Sequence, residues 1–287
     1  MTVHLVTFSD ESMGRSARLC MGSATKNGVD YAGYWPWTAK YCRRGKWFDA
    51  GLKGTQFYRD NQTLLDQPRG LGYWAWKPFV IQEAMALRGV GDIVVYSDAG
   101  IEFIAPVPHI INRMDQDVFL FGNNWQHSHW CKRDVVDAIW PWTNARDVDG
   151  NELSWERFGK QCQASVIFFR VSDYTRTLIA EWLKWCLFEG GRLIDDSPSH
   201  APNHPEFREH RHDQAILTTM AYRDGLTLHY WPASYNDGAF VYEKLSEYAG
   251  DNYPILFNHH RRRNHEWPME DLTGGGNHAF YVGRGSS

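Results

Sequence analysis

An apolar run meets a polar turn at Asp92-Ile93-Val94-Val95-Tyr96-Ser97-Asp98-Ala99-Gly100. A short, unbroken apolar run of this kind is typical of a parallel strand that is buried on both faces. In open α/β sheets, ligands bind beyond the carboxyl ends of such strands. Asp98 stands at that end, and the small Ala99 and Gly100 would let a phosphate or a sugar approach the backbone. The stretch therefore predicts an α/β fold with a ligand site that begins at Asp98.

Strand and helix patterns alternate on both sides of this stretch. The predicted strands are residues 4–8, 117–121, 163–169 and 226–230, and the predicted helices are residues 16–25, 79–88, 172–188 and 213–222. Neither an internal repeat nor a Pro/Ser-rich linker divides the chain. We therefore expect one α/β domain followed by a C-terminal extension.

The composition limits the functions that are open to the chain. Its 287 residues, 43% of them hydrophobic, suffice for one large domain or two small ones with a sizeable core. Charged residues make up 22%, which excludes wholesale disorder. The net charge of -4 provides no broad basic field, so we expect no nucleic-acid partner. Aromatic residues reach 15%, an excess that suits stacking on sugar rings or bases, although a Trp-rich core explains it equally well.

The cysteines and the apolar segments predict a location. Five cysteines occur and none forms a CxxC pair, so we expect free thiols in a reducing cytoplasm rather than disulfides or a zinc knuckle. The sequence opens with a strand-like run rather than a signal peptide. No apolar stretch approaches the roughly 20 residues that cross a bilayer. We therefore expect a cytoplasmic protein that is able to work at a membrane surface.

Two motifs carry candidate groups for phosphate. Asp98 would hold a hard divalent cation that neutralises a diphosphate, unless it merely caps a turn. Lys77 lies in Tyr73-Trp74-Ala75-Trp76-Lys77-Pro78, at a predicted helix start where backbone N–H groups add to its positive charge. The alternative for this second motif is an aromatic core segment with an exposed lysine.

Two later motifs add a carboxylate and a basic cluster. Asp213 follows His212 and precedes Gln214 at a predicted helix start, where it is either an ordinary cap or a base or orienting group for a sugar hydroxyl. The segment His259-His260-Arg261-Arg262-Arg263 would clamp a diphosphate through its arginines, while a histidine completes a metal site. Otherwise this segment is a solvated basic tail or a patch for anionic lipid.

Taken in order, these segments resemble a known family. They are Val6-Thr7-Phe8, Gly72-Tyr73-Trp74-Ala75-Trp76-Lys77-Pro78, Tyr96-Ser97-Asp98-Ala99-Gly100, Gln163-Ala164-Ser165, His212-Asp213-Gln214 and His260-Arg261-Arg262. Over about residues 3–264, the chain resembles the GT-A-fold nucleotide-sugar glycosyltransferases of bacterial surface-polysaccharide loci and large viruses. The resemblance implies a mixed, mainly parallel sheet flanked by helices. It also implies a domain at residues 1–265, with a nucleotide-binding half (about 1–105) and an acceptor half (about 106–265), and an extension at 266–287.

The same resemblance implies a reaction and a cofactor. The chain would move a sugar from a nucleotide-diphosphate sugar, with UDP the expected nucleotide, to a saccharide hydroxyl in polysaccharide or glycan synthesis. Many family members hold Mn²⁺ or Mg²⁺ with a DxD motif, whereas this chain has Tyr96 at the first of those positions. Asp98, completed by His259 or His260, is therefore the expected metal site.

The remaining site residues follow from the resemblance as well. The catalytic pair would be Asp213 and Gln214, and the sugar or acceptor contacts would be Gln163, Ser165 and His212. The expected donor contacts are Thr7, Phe8, Trp76, Lys77, Tyr96, Ser97, Asp98, Ala99, Arg261 and Arg262. Two other classes stay open, a non-catalytic carbohydrate-binding protein and a metal-dependent hydrolase.

Overall fold

A six-stranded sheet forms the centre of the computed structural model, which describes residues 1–38, 51–141 and 155–266 and the backbone of residues 40–43 and 46–49. Across the sheet, the strands are β2 (Tyr31–Pro36), β1 (Val3–Ser9), β5 (Ile93–Asp98), β8 (Lys160–Arg170), β7 (Val118–Gln126) and β9 (Leu228–Tyr230). A second sheet contains β11 (Phe240–Val241), β10 (Ala233–Tyr235), β12 (Phe257–His259) and β6 (Ile101–Phe103). A third pairs β3 (Lys40–Arg43) with β4 (Lys46–Asp49).

The central sheet is mixed and mainly parallel, as expected. β1 runs parallel to β2 and β5, and β7 runs parallel to β9, whereas β8 is antiparallel to both β5 and β7. The register pairs Phe8 with Asp98, and Ser97 with Val166. The carboxyl ends of β1, β5 and β7 therefore meet the amino-terminal half of β8 at one edge, which we call the site edge.

Helices connect and cover the strands. The α-helical segments are α1 (Gly14–Lys26), α2 (Gln56–Asp60), α3 (Gln62–Leu65), α4 (Gly70–Tyr73), α5 (Trp76–Ala86), α6 (Pro108–Ile111), α7 (Arg133–Ile139), α8 (Asp173–Leu187) and α9 (His212–Arg223). Short 3-10 turns lie at Glu11–Met13, Leu52–Gly54, His127–His129, Trp155–Arg157, Phe188–Gly190, Ser246–Tyr248 and Asn264–Glu266. Within the described ranges, none of the helices combines the length and the apolar character that crossing a membrane requires.

The side chains of β5 point alternately into two hydrophobic cores, one on each face of the sheet. Val94 and Tyr96 point into a core that α5, α8 and α9 cover, whereas Val95 points into a second core with α1 and the four-stranded sheet. All three side chains are completely buried. A strand that is apolar on both faces is thus placed in the middle of the sheet, where both faces find partners.

A left-handed turn precedes α5. Five consecutive residues, Gly70 to Trp74, have positive φ angles of 59°, 53°, 86°, 55° and 64°. Three of them are not glycine, and a residue with a side chain pays a conformational cost in this region. The indole nitrogen of Trp76 donates to the carbonyl oxygen of Gly70 at 2.9 Å and closes the turn onto the start of α5. The position of the first turn of α5 therefore depends on a strained segment.

Most predicted elements correspond to observed ones within a few residues, including β1, α1, β5, α8 and α9. The antiparallel direction of β8 did not follow from its apolar sequence, because strand direction leaves no signature in a run that is buried on both faces. The proposed division into a domain and an extension stays a prediction, and residues 267–287 lie outside the described residues.

Replacing Gly72 by alanine tests the turn. An added Cβ would lie 2.7 Å from Leu65 Cα and 2.8 Å from the Leu64 carbonyl oxygen, at a φ of +86°. We expect Gly72→Ala to lower the free energy of unfolding by at least about 2 kcal/mol in urea titrations. Gly22→Ala is the control, because nothing lies within 4 Å of its added Cβ inside α1, and it should stabilise by about 0.5–1 kcal/mol. Equal effects of the two substitutions would contradict the strained turn.

Candidate functional site

A buried lysine lies between two carboxylates at the site edge. The side chain of Lys77 is 4% exposed, and its Nζ lies 2.8 Å from Asp213 Oδ2 and 3.5 Å from Asp98 Oδ1. The same ammonium donates to the Ala164 carbonyl oxygen at 3.1 Å. Tyr96 completes this group, because its hydroxyl donates to Asp98 Oδ1 at 2.6 Å and its ring lies 5.2 Å from Lys77 Nζ. We call Lys77, Tyr96, Asp98 and Asp213 the carboxylate–lysine cluster.

Three elements bring the cluster together. Lys77 is the second residue of α5, Asp213 is the second residue of α9, and Asp98 is the last residue of β5. The N-cap residue of α9 is Arg211, and no described side chain caps this helix end. Asp213 thus lies inside the first turn of α9 rather than at its N-cap position, and its role at the sugar stays a prediction. Its carboxylate turns toward Lys77, and the helix N-terminus still favours its negative charge.

Burial and charge set the protonation states of the cluster. Burial raises the pKa of Asp213 to about 6, even though the neighbouring Lys77 ammonium works in the opposite direction. For Lys77, burial lowers the pKa, but the carboxylates of Asp213 and Asp98 outweigh it and the pKa is raised overall. Burial also raises the pKa of Tyr96 well above its ordinary range. At neutral pH the cluster thus carries one positive and two negative charges, and Asp213 takes up a proton near pH 6.

Aromatic rings hold the start of α9. His212 has a φ of 47°, is 2% exposed, and lies beside the rings of Tyr73 and Trp74 at centroid distances of 5.2 and 5.5 Å. Its Nδ1 lies 2.7 Å from the Ile194 carbonyl oxygen. His212, a predicted sugar contact, is therefore buried, and it links the left-handed turn before α5 to Asp213, the next residue.

Gln214, the second predicted catalytic residue, connects α9 to β8. Its amide nitrogen donates to Gln161 Oε1 at 2.6 Å, and its amide oxygen accepts the backbone N–H of Ala164 at 3.3 Å. Gln161 lies 3.5 Å from the Nδ1 of His127, and burial lowers the pKa of His127 to about 3. Both ends of the Gln214 amide are thus engaged within the protein, next to the carbonyl group that binds Lys77.

The basic segment crosses the end of β5. The backbone N–H groups of His260 and Arg261 both donate to the Gly100 carbonyl oxygen, at 3.1 and 3.2 Å. A Cβ on Gly100 would lie 3.0 Å from Arg261 Cα. The small residue predicted to admit a ligand therefore admits this chain's own backbone. The side chain of Arg261 is exposed, and within the described ranges its guanidinium is engaged through Nε, which donates to His259 Nε2 at 3.0 Å. Arg262 pairs with Asp237.

The predicted metal ligands Asp98, His259 and His260 do not form a group of three within the described residues. In the described part of the chain, the group of three whose ligand atoms lie within 4.8 Å of one another is His129, His204 and Glu206. Burial lowers the pKa of His259 to about 3 and that of His260 to about 4, so both rings are neutral. Neutral imidazoles suit a metal ion. The expected pairing of Asp98 with one of these two histidines stays a prediction.

The donor contacts predicted on β1 and α5 are buried. Thr7 is completely buried, and Phe8 stacks on Trp76 with ring centroids 3.8 Å apart. Trp37 packs edge-on against Phe8 at 6.1 Å. These rings form an aromatic core beneath the site edge, and the structure does not present them on an open surface.

The other predicted contacts lie near the site edge without joining the cluster. Gln163 and Ser165 bond each other at 3.0 Å and are 7% and 8% exposed. Ser97 is completely buried and accepts a bond from Cys20, on the face that α1 covers. Ala99 is 5% exposed and follows directly after Asp98. Cys162 and Ala164 belong to the core beside α9, so the alternation of side chains places Gln163 and Ser165 on the other face of the sheet, the one on which Ser97 meets α1.

A tryptophan pair with an arginine was not predicted. Trp125 and Trp130 are half-buried and stack with ring centroids 4.7 Å apart. The guanidinium of Arg211 lies 4.7 Å from the first ring centroid and 4.6 Å from the second. Arg211 precedes His212-Asp213, so this surface adjoins the cluster. The available signal was a pair of tryptophans that closely follow the carboxyl end of a predicted strand, where binding residues concentrate.

Comparisons with known proteins give only distant structural similarity. The sequence matches no protein-family model and no curated protein. Similar solved structures include the galactosyltransferase LgtC in complex with donor and acceptor sugar analogues, at 10% identity over 90% of this chain and 87% of that chain, with a TM-score of 0.47. Mouse xyloside xylosyltransferase 1 has 10% identity over 91% and 98% of the chains and a TM-score of 0.44. The bifunctional glycosyltransferase WbbM has 10% identity over 91% and 46%, and a TM-score of 0.45. Similarity this distant leaves the function to be argued from the site.

Replacing Lys77 by methionine tests the cluster. The change leaves two carboxylates without their cation, so we expect a loss of about 3–5 kcal/mol in the free energy of unfolding at pH 7. The matched control is Lys184→Met on the exposed side of α8, which should change stability by less than about 1 kcal/mol. The double variant Lys77→Met/Asp213→Asn should recover part of the loss. A tolerated Lys77→Met variant would show that the two carboxylates do not depend on this ammonium.

Proposed function

We propose that this protein is a glycosyltransferase that moves a sugar from a nucleotide-diphosphate donor to a saccharide hydroxyl. One observation carries the proposal: a buried cluster with one excess negative charge lies beside exposed arginine at the carboxyl end of a parallel strand. Cleavage of a glycosyl–phosphate bond develops positive charge on the sugar ring and negative charge on the diphosphate. A site with adjacent negative and positive groups is suited to stabilise both.

Asp213 and Asp98 act on the sugar side in this proposal. Asp98 is 30% exposed along its side chain and faces the edge, while Asp213 lies behind it against Lys77. The ionised Asp213 carboxylate stabilises positive charge at the anomeric carbon or orients a sugar hydroxyl. Lys77 keeps this carboxylate ionised near neutral pH, because without the ammonium the pKa of Asp213 would rise further. We therefore assign Lys77 as a positioning residue. Gln214 positions α9 as well, because its amide bonds Gln161 and Ala164 of β8.

Arg261 and Arg262 act on the leaving group. Arginine binds phosphate oxygens through forked N–H donors, and Arg261 lies directly over Gly100, two residues from Asp98. A divalent cation, Mn²⁺ or Mg²⁺, would supply further charge neutralisation when bound. Asp98 would be its single carboxylate ligand, with diphosphate oxygens completing the shell. No step of the proposal depends on this ion, because Asp98, His259 and His260 do not form a three-ligand group in the described part of the chain.

In this proposal the acceptor sugar binds beside Trp125 and Trp130, next to the site edge. Sugar C–H faces pack on aromatic rings, and Trp125 and Trp130 offer such faces next to the start of α9. We propose a UDP-sugar as donor, a growing polysaccharide or glycan as acceptor, and a cytoplasmic site of action that includes the membrane surface. Expected donor contacts such as Thr7 and Phe8 would then support the pocket from below rather than touch the base.

A second candidate is a non-catalytic carbohydrate-binding protein, and the half-exposed tryptophan pair favours it. Such a protein needs neither a buried carboxylate with a raised pKa nor arginines for a diphosphate. A donor screen separates the two: the full chain is incubated with UDP-, GDP- and TDP-sugars and mixed oligosaccharides, with Mn²⁺, Mg²⁺ or EDTA, and nucleotide release is measured. A transferase releases nucleotide with at least one donor. Sugar binding without any release, and no thermal shift with nucleotides, would favour the binding protein.

Asp213→Asn tests the proposed catalytic carboxylate. The amide keeps the shape and loses the charge, so turnover in the donor assay should fall by about 10²-fold or more. Nucleotide affinity should stay near that of the original chain, whereas the melting temperature should fall, because the buried Lys77 loses one of its two carboxylate partners. Turnover is therefore compared at a temperature at which the variant is folded. Asp115→Asn is the control, because Asp115 is exposed and distant in sequence from every cluster residue, and it should retain full turnover. A fully active Asp213→Asn variant would remove Asp213 from the mechanism.

The pH dependence gives an independent test. If the ionised form of Asp213 is the active one, kcat/KM should fall as the pH drops through about 6, the pKa to which burial raises this group. The nearby Asp98 charge also raises the pKa of Asp213. Asp98→Asn should therefore move the acidic limb to lower pH, whatever it does to the maximal rate. A limb that stays in place, or moves to higher pH, would contradict the coupling between the two carboxylates.

A further inference from the structure

A second group of polar side chains lies outside the carboxylate–lysine cluster. His129 ends the 3-10 turn that follows β7, and His204 and Glu206 lie in the loop between α8 and α9. One ligand atom from each of these residues lies within 4.8 Å of the others. His129 Nε2 is 2.9 Å from Glu206 Oε2, and the two imidazole rings have centroids 5.3 Å apart. Two segments of the chain, a 3-10 turn and a loop that are 75 residues apart in sequence, thus bring three side chains of metal-binding type together.

Backbone bonds fix the relative position of these two segments. The N–H of Arg208 donates to the His129 carbonyl oxygen at 2.8 Å, and the N–H of Arg211 donates to the Trp130 carbonyl oxygen at 3.0 Å. Farther along, the N–H of Arg133 donates to Asn203 Oδ1 at 2.8 Å. The three ligands are therefore brought together by main-chain bonds after Glu206 and by a backbone-to-side-chain bond at Asn203, rather than by the chance orientation of exposed side chains.

The group is covered on one side and open on the other. The Nδ1 of His204 accepts the backbone N–H of Glu206 at 3.1 Å, and this hydrogen bond must open when the ring binds a metal ion, because a neutral imidazole has a single free lone pair. Trp155 packs edge-on against His204 at 5.9 Å and covers the ring. His129 is 21% exposed along its side chain and Glu206 is 70% exposed, which leaves one side of the group open to solvent. A bound ion would therefore keep a water ligand.

We propose that His129, His204 and Glu206 bind one Zn²⁺ ion. Two imidazoles and a carboxylate are ligands that zinc prefers, and three protein ligands with one water complete its tetrahedron. The ion takes the place of the hydrogen that now lies between His129 Nε2 and Glu206 Oε2. It ties the loop before α9 to the end of β7, and so it stabilises the segment that leads to His212 and Asp213. The proposal is independent of the glycosyltransferase activity, because it concerns a site with its own ligands.

Zinc titration of the full-length, tag-free chain tests this site. After chelator treatment and buffer exchange, Zn²⁺ is added in competition with a metallochromic dye, and the melting temperature is followed in parallel. We expect one equivalent to bind and to raise the melting temperature. The His129→Ala and His204→Ala variants should each bind at least tenfold more weakly and lose the zinc-dependent rise. Binding should weaken as the pH falls through the range in which histidine is protonated.

The control is His109→Ala, a partly exposed histidine on α6 that lies outside the group, and it should bind like the original chain. The zinc-free melting temperatures of the variants show whether they are folded. Should His129→Ala unfold, Glu206→Gln replaces it, because Glu206 is largely exposed and its amide keeps the volume. Zinc affinity that is the same in the His204→Ala, Glu206→Gln and His109→Ala variants would overturn the proposal. Loss of zinc binding with full nucleotide release would leave the proposed transferase function intact.

Discussion

One buried ammonium holds the candidate site together. Lys77 connects α5 to Asp213 on α9, to Asp98 on β5 and to the Ala164 carbonyl group of β8. Taking these charges out of water costs free energy, and their mutual attraction compensates for it only when every partner is in place. The geometry of the site edge is thus set by an interaction that tolerates little displacement of any of the four elements.

The strained turn before α5 supports the same ion pair. Residues 70–74 adopt left-handed conformations, and Tyr73 and Trp74 from this turn enclose His212, which precedes Asp213. This turn leads into α5, which carries Lys77, and it contacts the residue before Asp213. It therefore helps to position both members of the ion pair. Backbone strain persists only where the surrounding structure holds it, and here the support is an aromatic core that includes Phe8 and Trp76.

The sequence was informative about the three charged residues of the cluster because each of them lies at the end of an element. Asp98 follows an apolar strand, and Lys77 and Asp213 each begin a helix, so patterns that locate element ends also locate these side chains. The sequence did not predict which neighbours these side chains contact or how deeply they are buried. Lys77 faces two carboxylates, and Phe8 is covered by Trp76, because tertiary packing decides which neighbour a side chain meets. The metal ligands and the Trp125–Trp130 pair depend on loop paths for which the sequence carries no periodic signal.

The return of the basic segment to Gly100 has a consequence for the order in which the protein forms. Pairing of β1 with β5 joins residues about 90 apart, whereas Arg261 meets Gly100 across 161 residues and Asn264 accepts the N–H of Arg15 across 249. Contacts between distant parts of a chain require the closure of long loops and slow the search for the native state. While the chain emerges from the ribosome, its amino-terminal sheet is available long before the segment that completes the site edge. A nascent chain therefore has the carboxylates and the lysine within reach of one another before it acquires Arg261.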